Sequence, residues 1–139
     1  MSRPTPLIKF DVCIYKKNGM PQDEFMKWAT TEYPVKAAPL IKRYGIVKWT
    51  QTIQPAGFRK PLRDSLQNNM GRSAWTVPDY DLVTTYWLKS LDDMHALTMD
   101  PEWAELEKDA STKSNMSIGH FVVGHEIIHF EGNNSTADA

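Results

Sequence analysis

Near its C-terminal end the chain reads His125-Glu126-Ile127-Ile128-His129, an H-E-x-x-H spacing that Gly132 extends to H-E-x-x-H-x-x-G. On a helix, histidines four apart share a face and can hold zinc, with the glutamate as base. A third ligand would fall at Ser135, a poor one, and Glu131 is the nearby carboxylate. The surrounding run, FVVGHEIIHF, is β-branched and contains Gly124. That composition predicts a strand. On a strand, positions four apart are separated by about 13 Å. Zinc–nitrogen bonds of about 2.1 Å do not bridge that gap. The expectation is no metal site, with His125 and His129 on a terminal strand.

Chemistry without a metal needs a proton-transfer group, a donor or cation to hold an oxyanion, and a dry box for the substrate. His120 and His125 are the first acid–base candidates, since imidazole titrates near neutrality. They have opposite parity, and a bulge at Gly124 would reverse the facing after it. The sequence leaves open which of the two faces a pocket. Asp11 sits in an apolar run, where an unpaired carboxylate is costly, so it is paired or functional. Lys9, two residues away, is its expected partner. Lys36 could reach an anion, as could Arg59, Lys60 and Arg63, with a solvated surface as the alternative. Trp28, Trp49, Tyr86 and Trp87 could form an aromatic box or simply core. The chain has five Trp, five Tyr and five Phe.

These groups need elements to position them. Leu7 to Tyr15 (LIKFDVCIY) alternates with one apolar face and predicts a strand. Pro21 and the acidic Gln22-Asp23-Glu24 predict a helix start. Phe25, Trp28, Ala29, Glu32 and Tyr33 recur at helical spacing. Pro34 should kink or interrupt that helix, which resumes over 35–44 and stops at Gly45. Residues 46–53 predict a second strand. Residues 54–80 form a long connection, within which Leu62, Leu66 and Met70 suggest one short amphipathic helix. Residues 81–88 predict a third strand. Ser90 with Asp93 opens a helix, Asp100-Pro101 opens another, and residues 118–130 form the last strand. The order is that of an α+β, ferredoxin-like βαββαβ domain. It leaves one sheet face without helices, and a second copy of the chain is the economical cover.

Length and charge narrow the function classes. A chain of 139 residues fits one domain, here taken as 1–139 with an ordered core of about 7–130 and a frayed tail over 131–139. Sixteen basic and 17 acidic residues give a net charge of -1, no field for nucleic acid. No apolar run reaches the roughly 20 residues that cross a bilayer. No signal-like apolar stretch follows the N-terminus, and the single cysteine, Cys13, forms no intrachain disulfide. The expected setting is the cytoplasm, without a membrane partner.

The stretch from Pro21 to Thr52 resembles the N-terminal half of EthD-type domains. The resemblance rests on Asp23-Glu24-Phe25, Trp28, Glu32-Tyr33-Pro34, and Gly45-Ile46 with Trp49 and Gln51. Leu91-Asp92-Asp93 and Asp109 fit more loosely. Where that family carries a histidine at the helix end, this chain has Tyr33, which can still donate a hydrogen bond to a carbonyl. The resemblance implies a dimeric α+β barrel and a pocket shared by Tyr33 and one strand histidine. It also implies a cofactor-independent lyase that decarboxylates or cyclises an aromatic polyketide acid in secondary metabolism. A cofactor-free oxygenase and a non-catalytic dimeric binding module are the alternatives.

Overall fold

In the computed structural model, which describes residues 3–132, the alternating run around Phe10 becomes β1 (Arg3–Ile14). It begins ahead of Leu7 because Arg3 and Pro4 pair with Ile128 and Ile127. The other strands are β2 (Lys48–Ile53), β3 (Leu82–Leu88) and β4 (His120–Ile128). All pairings are antiparallel, in the order β2-β3-β1-β4. This is the ferredoxin-like α+β arrangement expected from the element order. The anticipated loose tail falls, beyond Gly132, outside the described residues.

The first helix is built in three pieces: α1 (Gln22–Lys27), a π-helical turn (Trp28–Glu32) and α2 (Tyr33–Arg43). The π turn lies immediately before Pro34, where an α-helix would set the proline ring against a carbonyl one turn back. Gly45 ends the helix at a φ of 77°, with its N–H bonded to the Lys42 carbonyl at 3.1 Å. The long connection holds α3 (Ala56–Asn68), longer than the short helix anticipated and without a buried residue. After β3 come α4 (Leu91–Thr98) and α5 (Pro101–Ala110), capped by the Ser90 and Asp100 side chains.

From Ile8 onward in β1, and throughout β3, the even-numbered side chains face the helices. Phe10, Tyr86 and Leu88 pack there with Leu40 of α2, Leu97 of α4 and Trp103 of α5. A second buried group, Phe25, Trp28, Ala29 and Leu82, lies under the π turn.

Two expectations need correction. Gly124 is not a bulge: it pairs with Lys9 in unbroken register from His120 to His125, and the irregularity lies in β1 between Pro4 and Ile8. His120 and His125 therefore stay on opposite faces. Asp11 is held not by Lys9 but by the Thr85 hydroxyl, which donates to it at 2.5 Å across the β1–β3 ladder. The Lys9 ammonium instead stands 5.9 Å from the Trp87 ring centre. The H-E-x-x-H segment is strand through Ile128, with Glu126 accepting from the Trp87 indole at 3.2 Å.

Asp100 ties α5 to the end of α2. Its carboxylate accepts from the Tyr44 hydroxyl at 2.5 Å, the Glu102 N–H at 2.7 Å and Arg43 at 3.2 Å. Tyr44 first, then the Glu102 N–H, hold the carboxyl below its usual range. A depressed carboxyl stabilises the fold above the unfolded value and stops doing so as pH falls through the folded one. Asp100→Asn should therefore melt earlier than the parent near neutrality. The difference should close as acid is added below the ordinary carboxylate value of about 3.9. Melting curves across that range test this, and a pH-independent difference would contradict it.

Candidate active site

The π turn sets the site's geometry through one carbonyl. The Tyr33 N–H bonds to the Trp28 carbonyl, and Pro34 has no N–H to offer. The Ala29 carbonyl, in a residue only 1% exposed, thus loses both helical partners. The Gln51 side chain of β2 replaces them, its amide N donating at 2.8 Å. The widened turn brings Trp28 and Tyr33, five apart, to a ring separation of 5.3 Å. Tyr33 in turn meets Trp49 at 6.3 Å, and Trp49 stacks on Tyr86 at 6.3 Å with an interplanar angle of 13°.

Beneath this aromatic chain, between helices and sheet, lies a cavity of about 710 Å³. That is ample for a flat multi-ring ligand, since small-molecule pockets run about 300–1,000 Å³. Trp28, Tyr33, Trp103 and Glu107 wall it from the helices, and Phe10, Val12, Thr84 and Tyr86 from the sheet. The segment leading into β4, from Ser114 to Phe121, completes it.

The indole N–H groups are satisfied: Trp28 donates to Asp109 at 3.2 Å, Trp49 to Thr84 at 2.6 Å and Trp103 to Glu107 at 3.0 Å. Burial, more than the nearby Tyr86 and Glu107, pushes the Tyr33 phenol far up. Burial likewise pushes Tyr86 up to about 12, against a hydrogen bond with Thr84 that lowers it. At physiological pH both are neutral phenols that can donate to a ligand oxygen. Burial also pushes the Cys13 thiol up, which keeps it protonated and a weak nucleophile.

Residues 17–112 match the EthD domain. The chain belongs to the EthD family. It is 26% identical over 125 residues to dehydratase iacD of Pestalotiopsis fici, spanning 90% of this chain and 89% of that protein. It is 25% identical over 114 residues to decarboxylase dmxR15 of a Cryptosporiopsis species, spanning 78% of this chain and 75% of that one. A dimeric protein of unknown function and ferredoxin-like fold from Bacteroides fragilis superposes with a TM-score of 0.59 at 13% identity. That match covers 89% of this chain and 100% of the other. It supports the fold.

In this EthD chain, Tyr33, Trp28, Tyr86 and His120 all line the cavity. His120 does so from the rim: it pairs with Cys13, on the face away from the helices, and its ring meets Tyr80 at 5.6 Å and Tyr15 at 6.1 Å. His125 lies outside the lining, its Nδ1 3.1 Å from the Leu7 carbonyl. Trp49 stands behind Tyr33 and Tyr86 rather than on the wall. Asp11 and Trp87 face the opposite side of the sheet, and Lys36 is exposed on α2 away from the cavity.

The wall also contains residues that sequence reasoning passed over: Glu107, Trp103, Thr84 and Gln51. Trp103 and Glu107 were visible as an i, i+4 pair on one helix face. Gln51 was visible only as a motif position.

Gln51→Leu should orphan the Ala29 carbonyl and cost about 1–3 kcal/mol. Denaturant titration of parent and variant measures it. Equal stability would mean the carbonyl does not depend on Gln51.

Proposed function

We propose that this EthD-family chain is a secondary-metabolite tailoring enzyme, a cofactor-independent lyase that acts on a flat aromatic polyketide. The observation that carries this reading is the aromatic cavity of about 710 Å³ with the neutral Tyr33 phenol on its wall. The names of the relatives, a dehydratase and a decarboxylase, support the reaction class. Tyr33 donates to a substrate carbonyl and favours electron flow into it. His120, on the cavity rim, takes the proton from a carbon conjugated with that carbonyl but farther along the ring system, or returns one to it. The bond that breaks expels water, after the leaving hydroxyl gains a proton, or carbon dioxide. Neither route needs an oxidant.

The working unit in this proposal is a homodimer. Both faces of β4 are exposed and apolar, through Phe121, Val122, Val123 and Ile127, which supports burial against a second copy. A stable interface should bury on the order of 1,600 Å² in total. Sedimentation should show twice the 15.9 kDa protomer, and a monomer at micromolar concentration would refute it.

Turnover of a polyphenolic substrate, with and without oxygen, tests the reaction class: it should persist anaerobically, and strict oxygen dependence would make the chain an oxygenase. Tyr33→Phe loses one neutral hydrogen bond and should slow turnover about tenfold. His120→Ala should lose about 10²–10⁴-fold. His125→Ala, outside the cavity, should stay near the parent. Full activity in His120→Ala would move the proton transfer to another group on the wall.

A further inference from the structure

The charge on the cavity wall says something about what can enter it. Among the described residues that line the cavity there is no lysine and no arginine, and Glu107 is the carboxylate. Glu107 is exposed, so it stands where the cavity meets solvent, and its Oε1 is fixed at 3.0 Å by the indole N–H of buried Trp103, one turn back on α5. An ionised carboxylate has acceptor capacity for further donors, and one bond to an indole leaves sites open. The other titratable wall groups are the two phenols, the Cys13 thiol and His120. His120 pairs with Cys13, three residues along β1 from Phe10, the partner of Tyr86. That offset is about 10 Å by strand rise. Tyr33, Tyr86 and Glu107 share this wall, and Glu107 is near enough to raise both phenols, so a ligand there finds two neutral donors and one anionic acceptor.

We propose that Glu107 makes this cavity select a neutral, hydroxyl-bearing polyketide and reject its carboxylate counterpart. This rests on the reading of the cavity as a site for flat aromatic polyketides and narrows it. A hydroxyl donates to Glu107, while the phenols of Tyr33 and Tyr86 donate to carbonyl oxygens. A ligand carboxylate finds no guanidinium or ammonium on the wall and meets like charge. The group lost is then a hydroxyl. The carbon–hydrogen proton goes to an acceptor on the protein, the carbon–oxygen bond breaks as that oxygen takes up a proton, and a carbon–carbon double bond forms with release of water.

The test is calorimetric binding of three probes to the purified full-length chain: a hydroxyanthraquinone, the same ring bearing a carboxylate, and the ring bearing neither. The hydroxy compound should bind at least about tenfold more tightly than the carboxylate, the scale of one charge-assisted contact. Glu107→Gln keeps an acceptor for Trp103 and removes the charge. It should strengthen carboxylate binding roughly tenfold, with a smaller change for the hydroxy compound. Thermal melting of the variant checks that the fold persists. Equal or tighter binding of the carboxylate by the parent, or no response of that binding to Glu107→Gln, overturns the selection while leaving the aromatic site standing. Failure of all three rings to bind overturns the aromatic reading and this inference with it.

Discussion

A single buried carbonyl organises this domain. Pro34 deprives the Ala29 oxygen of its helical donor, and the Tyr33 N–H is already committed to Trp28. An orphaned buried carbonyl costs about as much as a lost hydrogen bond, so a donor must come from elsewhere in the fold. Gln51 supplies it from β2. That bond ties the first helix to the sheet. It also stabilises the widened turn in which Trp28 and Tyr33 become neighbours.

The cavity follows from this arrangement. Four large rings, Trp28, Tyr33, Trp49 and Tyr86, lie edge to face and stacked along the helix–sheet junction. Rigid rings in mutual contact leave a gap with apolar walls and few polar groups. Burial then keeps the Tyr33 and Tyr86 phenols neutral. Packing thus defines both the volume and the hydrogen-bonding character of the site. Among the described residues no helix is long and apolar enough to cross a membrane.

The fold was legible because β1 alternates cleanly, the other strands are short runs rich in β-branched and aromatic residues, and prolines, glycines and capping side chains mark where helices start or stop. Pro34 announced an interruption, but its form depended on Gln51, a donor 22 positions from the Ala29 carbonyl it serves. The bulge could not be placed at Gly124 or in β1 from either strand alone, because register is a property of the pair. Asp11 looked to Lys9 because both lie on one strand face; Thr85, its actual partner, is 74 residues distant. Tyr33 was marked by the family pattern and does line the cavity. Glu107 was overlooked because a glutamate on a helix rich in charge reads as solvated; it is exposed, and only its bond to Trp103 and its place on the cavity wall set it apart. Trp87 and Asp11 share a face with each other rather than with Tyr33, a distinction that needs the sheet's orientation as well as strand parity.

The central claim is that ligands bind between helices and sheet, not on the sheet's opposite face, where Asp11 and Trp87 offer a carboxylate and a half-buried indole. A crystal structure of the protein with a bound aromatic polyketide tests it most directly. The account predicts the ring system lodged beside Trp28, Tyr33, Tyr86 and Trp103, with a ligand oxygen in hydrogen-bond reach of the Tyr33 hydroxyl. A ligand seated against Trp87 and Asp11, with the helix-side cavity empty, would contradict it.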